Sequence, residues 1–144
     1  MSIAEDVELV CAPYGASFAD VDSWLCIKTS SATLLNINDC EIESDERIGK
    51  IRRACGPVDL LCTQFSYASK QGDSGDPTWI ERAQKYHLGK LKLKVSAFSP
   101  AYTLPFASFV YWSHVENRYL NEGVIKVHDA VAVSYTHLTL PTIV

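Results

Sequence analysis

The side chains with the chemistry to bind a metal or attack a substrate are few and widely spaced in this sequence. None of the five cysteines belongs to a CxxC pair, the spacing that zinc sites and dithiol enzymes use. They are Cys11, Cys26, Cys40, Cys55 and Cys62. An odd number of scattered cysteines favours reduced thiols in a cytoplasmic protein. Nucleophilic catalysis by Cys40 or Cys62 would need a neighbouring base, which no pattern supplies, so we interpret Cys62 as a core residue.

The four histidines all lie in the second half of the chain: His87, His114, His128 and His137. His114 follows a predicted strand, in the segment Tyr111-Trp112-Ser113-His114, and is the histidine that we consider as a metal ligand. The alternative is that it is an ordinary hydrogen-bonded residue at the surface. His87 falls on the apolar side of a predicted helix, which favours packing over ligation.

Asp39 is the carboxylate with the clearest expected placement. The apolar, β-prone runs at 23–28 and 33–37 predict a hairpin, and Asp39 follows its second strand directly. A carboxylate at a strand end is held rigidly, and its two oxygens can bridge two cations. The alternative is that Asp39 caps the turn or the helix that comes next.

A helix and a further strand should follow Asp39. Ser44 is a suitable N-cap, apolar residues recur three to four apart from Ile48 to Cys55, and Gly56-Pro57 is a stop signal. The run Val58 to Cys62 then reads as a buried strand. Strand, helix and strand in this length predict a βαβ crossover, and therefore an α/β fold with a mixed sheet and flanking helices.

The second half of the chain is more ambiguous. From Trp79 to Phe98 the apolar residues follow helical spacing, although Lys90 to Val95 alternates strictly and would suit a strand. We predict a strand over Tyr102–Phe109 and a helix or loop over Glu116–Ala130. The stretch 95–115 has no charged residue, but its prolines would interrupt a helix, so we favour two buried strands over a membrane span.

Several of these segments together resemble the second half of the metallo-β-lactamase fold. They are Ser23–Ile27, Thr33–Cys40 and Gly56–Ala68. In that family a strand delivers a Gly-Asp pair at its carboxyl end, and the aspartate bridges two metal ions. Asp39 occupies the position of this aspartate, with Asn38 in place of the glycine. The resemblance implies half of an αββα sandwich and a hydrolase that uses zinc or another divalent metal on a small-molecule substrate.

Three further segments look like the branch that contains the hydrolase-like domain of cytidine-monophospho-N-acetylneuraminate hydroxylases. They are Thr63–Ala68, Leu104–Phe109 and Glu116–Asn121. A Rieske iron–sulfur domain can accompany this branch. The likeness extends from about residue 7 to residue 130.

The sequence also departs from the family. The HxHxDH signature that supplies most of the metal ligands is absent, and so is a Rieske Cys-x-His motif. Pro105 and Phe106 stand where related phosphodiesterases have their last histidine ligand. We therefore expect a partial domain that is inactive and metal-free alone. The alternative is a non-catalytic binding or assembly domain, or a domain accessory to a Rieske-type oxygenase.

Composition and chain ends complete the expectations. A net charge of −4 with scattered basic residues argues against a nucleic-acid partner, and the acidic start argues against export. The segment 134–144 is similar to a translated sequencing adapter, so we assign 1–133 to the partial domain and 134–144 to a non-native tail.

Half a sandwich would expose an apolar sheet face, which predicts self-association. We assign to that face Leu34, Leu35, Ile37, Leu60 and Leu61.

Overall fold

The strands form one mixed sheet and lie in it in chain order. The computed structural model describes residues 2–13, 22–76 and 78–135. Its strands are β1 (Ser2–Ala4), β2 (Val7–Pro13), β3 (Ser23–Lys28), β4 (Thr33–Asn38), β5 (Leu60–Thr63) and β6 (Tyr102–Pro105). The pairs β1–β2, β2–β3 and β3–β4 are antiparallel, whereas the pairs β4–β5 and β5–β6 are parallel. The predicted α/β class, a mixed sheet with flanking helices, is confirmed.

Three α-helices and one 3-10 segment accompany the sheet in the described residues. They are α1 (Asp45–Cys55), α2 (Trp79–Phe98), the 3-10 segment (Val115–Gly123) and α3 (Val127–Tyr135). None of these helices is both long enough and apolar enough to cross a membrane.

Helix α1 begins and ends where the sequence predicts. The Ser44 hydroxyl accepts a hydrogen bond from the Arg47 backbone N–H at 3.3 Å, and so satisfies one of the unpaired N–H groups of the first turn. Gly56 ends the helix with a φ of 75°, and its N–H donates to the Arg52 carbonyl at 2.9 Å. Because β4 and β5 are parallel neighbours, the chain from β4 through α1 to β5 is the expected βαβ crossover.

Helix α2 resolves the ambiguity between helix and strand at residues 90–95 in favour of helix. Leu91, Val95 and Phe98 are three to four residues apart and all buried, so the helical period decides which side chains enter the core. The prediction of two strands within 95–115 is wrong. Residues 95–98 finish α2, and only β6 follows.

The end of β6 also differs from the prediction, which extended this strand to Phe109. The strand stops at Pro105, and Ala107 has a positive φ of 56°, a conformation that turns the chain out of the sheet. Residues 106–114 form irregular structure, and the predicted helix or loop at Glu116–Ala130 consists of the 3-10 segment and the start of α3. Helix α3 continues into Ser134 and Tyr135, whereas residues 136–144 lie outside the described residues. The assignment of a non-native tail stays a prediction.

One face of the sheet carries the main core. Val10, Cys26, Leu35 and Leu61 lie side by side across β2 to β5, and all belong to the core or pack against it. Helices α1 and α2 cover them through buried side chains. These are Ile48, Ile51 and Cys55 of α1, and Leu91, Val95 and Phe98 of α2. We call this side of the sheet the helix face.

The opposite side, which we call the second face, is also apolar. Its two rows of neighbouring residues are Ile27, Leu34, Leu60 and Tyr102, and Leu25, Asn36, Cys62 and Leu104. None of these side chains carries a charge, and none belongs to the core beneath the helices. Leu34 and Leu60 thus lie on the predicted apolar second face. For Leu35, Ile37 and Leu61 the prediction is wrong, because helices bury them on the helix face.

We expect the chain to associate through the second face, because sheets bury such apolar surfaces against another layer. Leu104 is 50% exposed on the edge strand β6, so Leu104→Lys introduces a charge there without opening the core. Sedimentation velocity should show concentration-dependent association of the wild type and a dissociation constant about tenfold weaker for Leu104→Lys. Ser30→Lys, an equal change of charge in the exposed β3–β4 turn, should associate like the wild type. A wild type that stays monomeric at all concentrations would contradict this expectation.

Candidate functional site

The carboxyl ends of β4 and β5 lie together at one edge of the sheet, because these strands are parallel neighbours. Ligands of open α/β sheets commonly bind outside this edge. Strand β4 ends at Asn38 and β5 at Thr63, and these two residues are paired. The Gln64 N–H donates to the Asn38 carbonyl at 2.9 Å, which holds the two strand ends against each other.

Asn38 turns the chain sharply at the end of β4. Its φ of 37° lies in the left-handed region, where glycine is unstrained and asparagine is the best tolerated of the other residues. This explains physically how asparagine can stand where the resembling family has glycine. The Cys40 N–H closes the turn by donating to the Ile37 carbonyl at 2.8 Å.

Asp39 projects from this turn and is exposed. One carboxylate oxygen, Oδ1, accepts a hydrogen bond from the Asn38 side-chain amide at 2.8 Å, which restricts the orientation of the carboxylate. Ser44 caps α1, so Asp39 does not serve as the helix cap that the alternative interpretation proposed. Its exposure at a strand end is the placement that the metal-ligand hypothesis requires.

Lys94 lies beneath the turn and is only 4% exposed. Its ammonium group donates to the Asn38 carbonyl at 3.3 Å and to Thr63 Oγ1 at 3.2 Å. Thr63 is fully buried, and its hydroxyl in turn lies 3.3 Å from the Asn38 carbonyl. Lys94 therefore connects α2 to the ends of both β4 and β5.

The pKa of Lys94 is lowered to about 8, mainly by burial and to a smaller extent by the positive charge of Lys90. The carboxylates of Asp39 and Glu41 act in the opposite direction, because negative charge favours the ammonium form. Near neutral pH the site thus holds a buried cation close to losing its proton.

Cys40 is not suited to nucleophilic attack. The pKa of its thiol is raised to about 11, mainly by burial and to a smaller extent by the negative charges of Asp22 and Asp39. The thiol donates to the Ser23 carbonyl at 3.3 Å and is 1% exposed. Burial also raises the pKa of Cys62, which is buried as predicted.

A second group of side chains borders Lys94 along α2. Lys90 bonds to Glu41 at 2.6 Å and Glu43 at 2.9 Å, and so ties the helix to the segment after Asp39. His87 packs its ring against Tyr67, with 5.9 Å between ring centroids, as expected for a packing residue. Burial and the nearby lysines lower the pKa of His87, which favours the neutral form of its ring.

The two predicted metal ligands follow different elements of the fold, since Asp39 comes directly after β4 and His114 directly before the 3-10 segment. His114 is exposed just before the 3-10 segment, where its Nδ1 lies 3.8 Å from Glu116. Within 2–13, 22–76 and 78–135, no three His, Cys, Asp or Glu side chains are grouped as metal ligands. At the end of β6, Pro105 and Phe106 offer no metal-binding side chain. The donors present in the described residues therefore do not fit a complete metal site.

Lys94 is the residue of this site that the sequence analysis did not identify. At 90–95 the lysines alternate with apolar residues, a pattern that suits a strand as well as a helix and singles out none of the three lysines. The helical spacing contained the missing signal, because position 94 falls on the same side of α2 as Leu91, Val95 and Phe98.

Comparison with known proteins gives no match to this chain among protein-family models, curated proteins or solved structures.

The buried ammonium group should make stability depend on pH. The unfolded chain keeps the Lys94 proton up to its ordinary pKa of 10.5, whereas the folded chain releases it near 8. Between these values the unfolded state binds more protons, so this group makes the free energy of unfolding rise with pH. The cost of the buried charge is fully present below pH 8 and disappears toward pH 10.5.

Urea unfolding of the wild type and of Lys94→Met at pH 7 and pH 9.5 measures this contribution. Relative to Lys94→Met, the wild type should gain about 2 kcal/mol over this interval. Subtracting the free energy of unfolding of Lys94→Met from that of the wild type at each pH reduces the contribution of other titrating groups, such as Cys40. If the free energies of unfolding of the wild type and Lys94→Met differ by the same amount at both pH values, Lys94 titrates at its ordinary pKa.

Proposed function

We propose that this chain is part of a cytoplasmic metallo-β-lactamase-like hydrolase domain, to whose divalent-metal site Asp39 contributes one carboxylate. The observation that carries the proposal is the placement of Asp39: exposed, at the carboxyl end of an inner strand, and fixed by the left-handed turn at Asn38. A bridging carboxylate needs such rigidity, because both oxygens must meet their cations at once.

The described residues contribute one clear oxygen ligand and do not complete a metal site. The remaining ligands would come from an HxHxDH segment, which this sequence lacks. Catalysis is therefore assigned to the parent protein acting on a small-molecule substrate, and the chain alone is proposed to be inactive.

The apolar second face is a second, independent observation that supports the proposal. A charge-free apolar sheet face is suited to packing against another sheet, about 10 Å away, as in a two-sheet sandwich. The helices α1 and α2 already cover the helix face. One sheet with helices on one side and an apolar second face is the half of an αββα sandwich that the resemblance implies.

A second candidate function is favoured by the end of β6. Under the proposed resemblance, Pro105 and Phe106 correspond to the position of a metal-binding histidine in catalytic members of the family. The Phe106 N–H continues the backbone pairing of β6 by donating to the Thr63 carbonyl at 3.0 Å. A binding or assembly domain, or a domain accessory to a Rieske-type oxygenase, would tolerate these residues. Such a domain would need no metal at Asp39.

Metal analysis of the parent protein distinguishes the two functions. Asp39→Asn keeps the shape of the side chain and removes its charge, so the purified variant should lose at least half of the bound metal and about 100-fold or more in hydrolysis rate. Asp45→Asn, an exposed carboxylate in the first turn of α1, is the matched control and should retain both. A parent protein without bound metal would favour the binding domain. Unchanged metal content and activity in Asp39→Asn would exclude a metal role for this residue.

A further inference from the structure

A cavity that does not include the Asp39 turn opens beside the carboxyl ends of β5 and β6. Its volume is about 290 Å³. Phe65 lines it two residues after the end of β5, and Ser108 lines it three residues after the end of β6. Because the pairs β4–β5 and β5–β6 are parallel, the cavity and the Asp39 turn lie at the same edge of the sheet. This is the edge at which open α/β sheets commonly bind their ligands.

Buried hydrogen bonds hold the two walls of the cavity in place. One wall follows β6, and the other precedes α3. In the first wall, the Ser108 hydroxyl is buried and accepts hydrogen bonds from the Phe65 and Ser66 backbone N–H groups at 3.0 and 2.9 Å. In the second wall, the Ile125 N–H donates to the buried Ser66 hydroxyl at 3.1 Å. Both walls are therefore attached to the chain that leaves β5, so a ligand would not have to order them.

The lining of the cavity is mainly apolar and partly aromatic. Phe109 is 75% exposed, and its ring meets the ring of Phe65 edge-on, with 5.7 Å between the centroids. Tyr111, in the same wall, is 69% exposed. Exposed rings of this kind gain free energy when another ring packs against them. Since a cavity of about 150 Å³ holds benzene, the volume here is sufficient for one substituted aromatic ring. The aliphatic lining residues are Val110, Val124, Ile125 and Val127.

Lys126 is the one charged residue among those that line the cavity, and it is exposed. Its backbone N–H is already used, because it donates to Asp129 Oδ2 at 3.1 Å. The side-chain ammonium group is therefore the part of Lys126 that would meet a charge on a ligand. A positive group at the border of an apolar cavity favours a ligand with negative charge.

We propose that this cavity binds a small organic anion that carries one aromatic ring, such as an aryl phosphate or an aryl carboxylate. The ring packs against Phe109 between the two walls, and the anionic group pairs with Lys126. An uncharged ring would leave the ammonium group without a partner, and an inorganic anion would leave the aromatic lining exposed. The proposal concerns this chain alone and does not depend on whether Asp39 binds a metal.

NMR titration of the isotope-labelled chain with phenyl phosphate tests the proposal. Saturable shifts are expected at the amide groups of 108–111 and 124–127. Benzyl alcohol supplies the ring without the charge, and inorganic phosphate supplies the charge without the ring. Each should bind about tenfold more weakly than phenyl phosphate or worse. The amide groups of β3, β4 and β6 show in the same spectra whether a ligand binds the second face instead.

Variants separate the two parts of the site. Lys126→Gln should bind phenyl phosphate no more tightly than benzyl alcohol, whereas Lys92→Gln, the same change at an exposed position of α2, should bind like the wild type. Phe109→Ala should weaken phenyl phosphate about tenfold. Tyr102→Ala, which removes a ring of similar exposure from β6, should not.

The comparison of ligands on the wild type decides the matter even where a variant is unfolded. Equal affinity for phenyl phosphate and benzyl alcohol would overturn the proposed anion specificity. Shifts confined to the second face, or no saturable shift at either wall, would overturn the site itself.

Discussion

The buried ammonium group of Lys94 is the constraint on which the candidate site depends. A charge removed from water costs several kcal/mol unless polar groups surround it, and here the Asn38 carbonyl and the Thr63 hydroxyl do so. These acceptors belong to two different strands, while the lysine belongs to α2. The free-energy cost of burying the charge is therefore offset in only one arrangement of α2 and the sheet. Displacement of either strand end would leave the ammonium group without one of its hydrogen-bond acceptors.

This arrangement explains why the turn after β4 has a defined shape. The Asn38 carbonyl accepts hydrogen bonds from the Gln64 N–H and from Lys94, so the backbone is fixed immediately before Asp39. The left-handed conformation of Asn38 then directs Asp39 outward. An exposed carboxylate that is held in one position contributes little to stability, and this is one reason why we propose a ligand for Asp39.

The sequence was sufficient to predict the elements whose signals are local. Ser44 and Gly56 mark the ends of α1, and the spacing around them predicts the crossover that places Asp39 at the sheet edge. The two faces were harder to distinguish. In Leu34-Leu35 the side chains of adjacent residues point to opposite faces, and strand alternation does not say which face the helices cover. The end of β6 at Pro105 was also missed, since it depends on tertiary packing.

In the candidate site, Lys94 is another residue whose placement the sequence pattern did not predict. A lysine in an alternating run is normally solvated, and only the helical conformation of 90–95 turns it toward the core. Heteronuclear NMR titration of the lysine side chains, with Lys94→Met to assign the signal, measures its ionisation directly. A midpoint near pH 8 for Lys94 is the result predicted by burial beneath the Asp39 turn. A midpoint at the ordinary value of 10.5 would contradict it, because the ammonium group would then be solvated and the strand ends would lack their common partner.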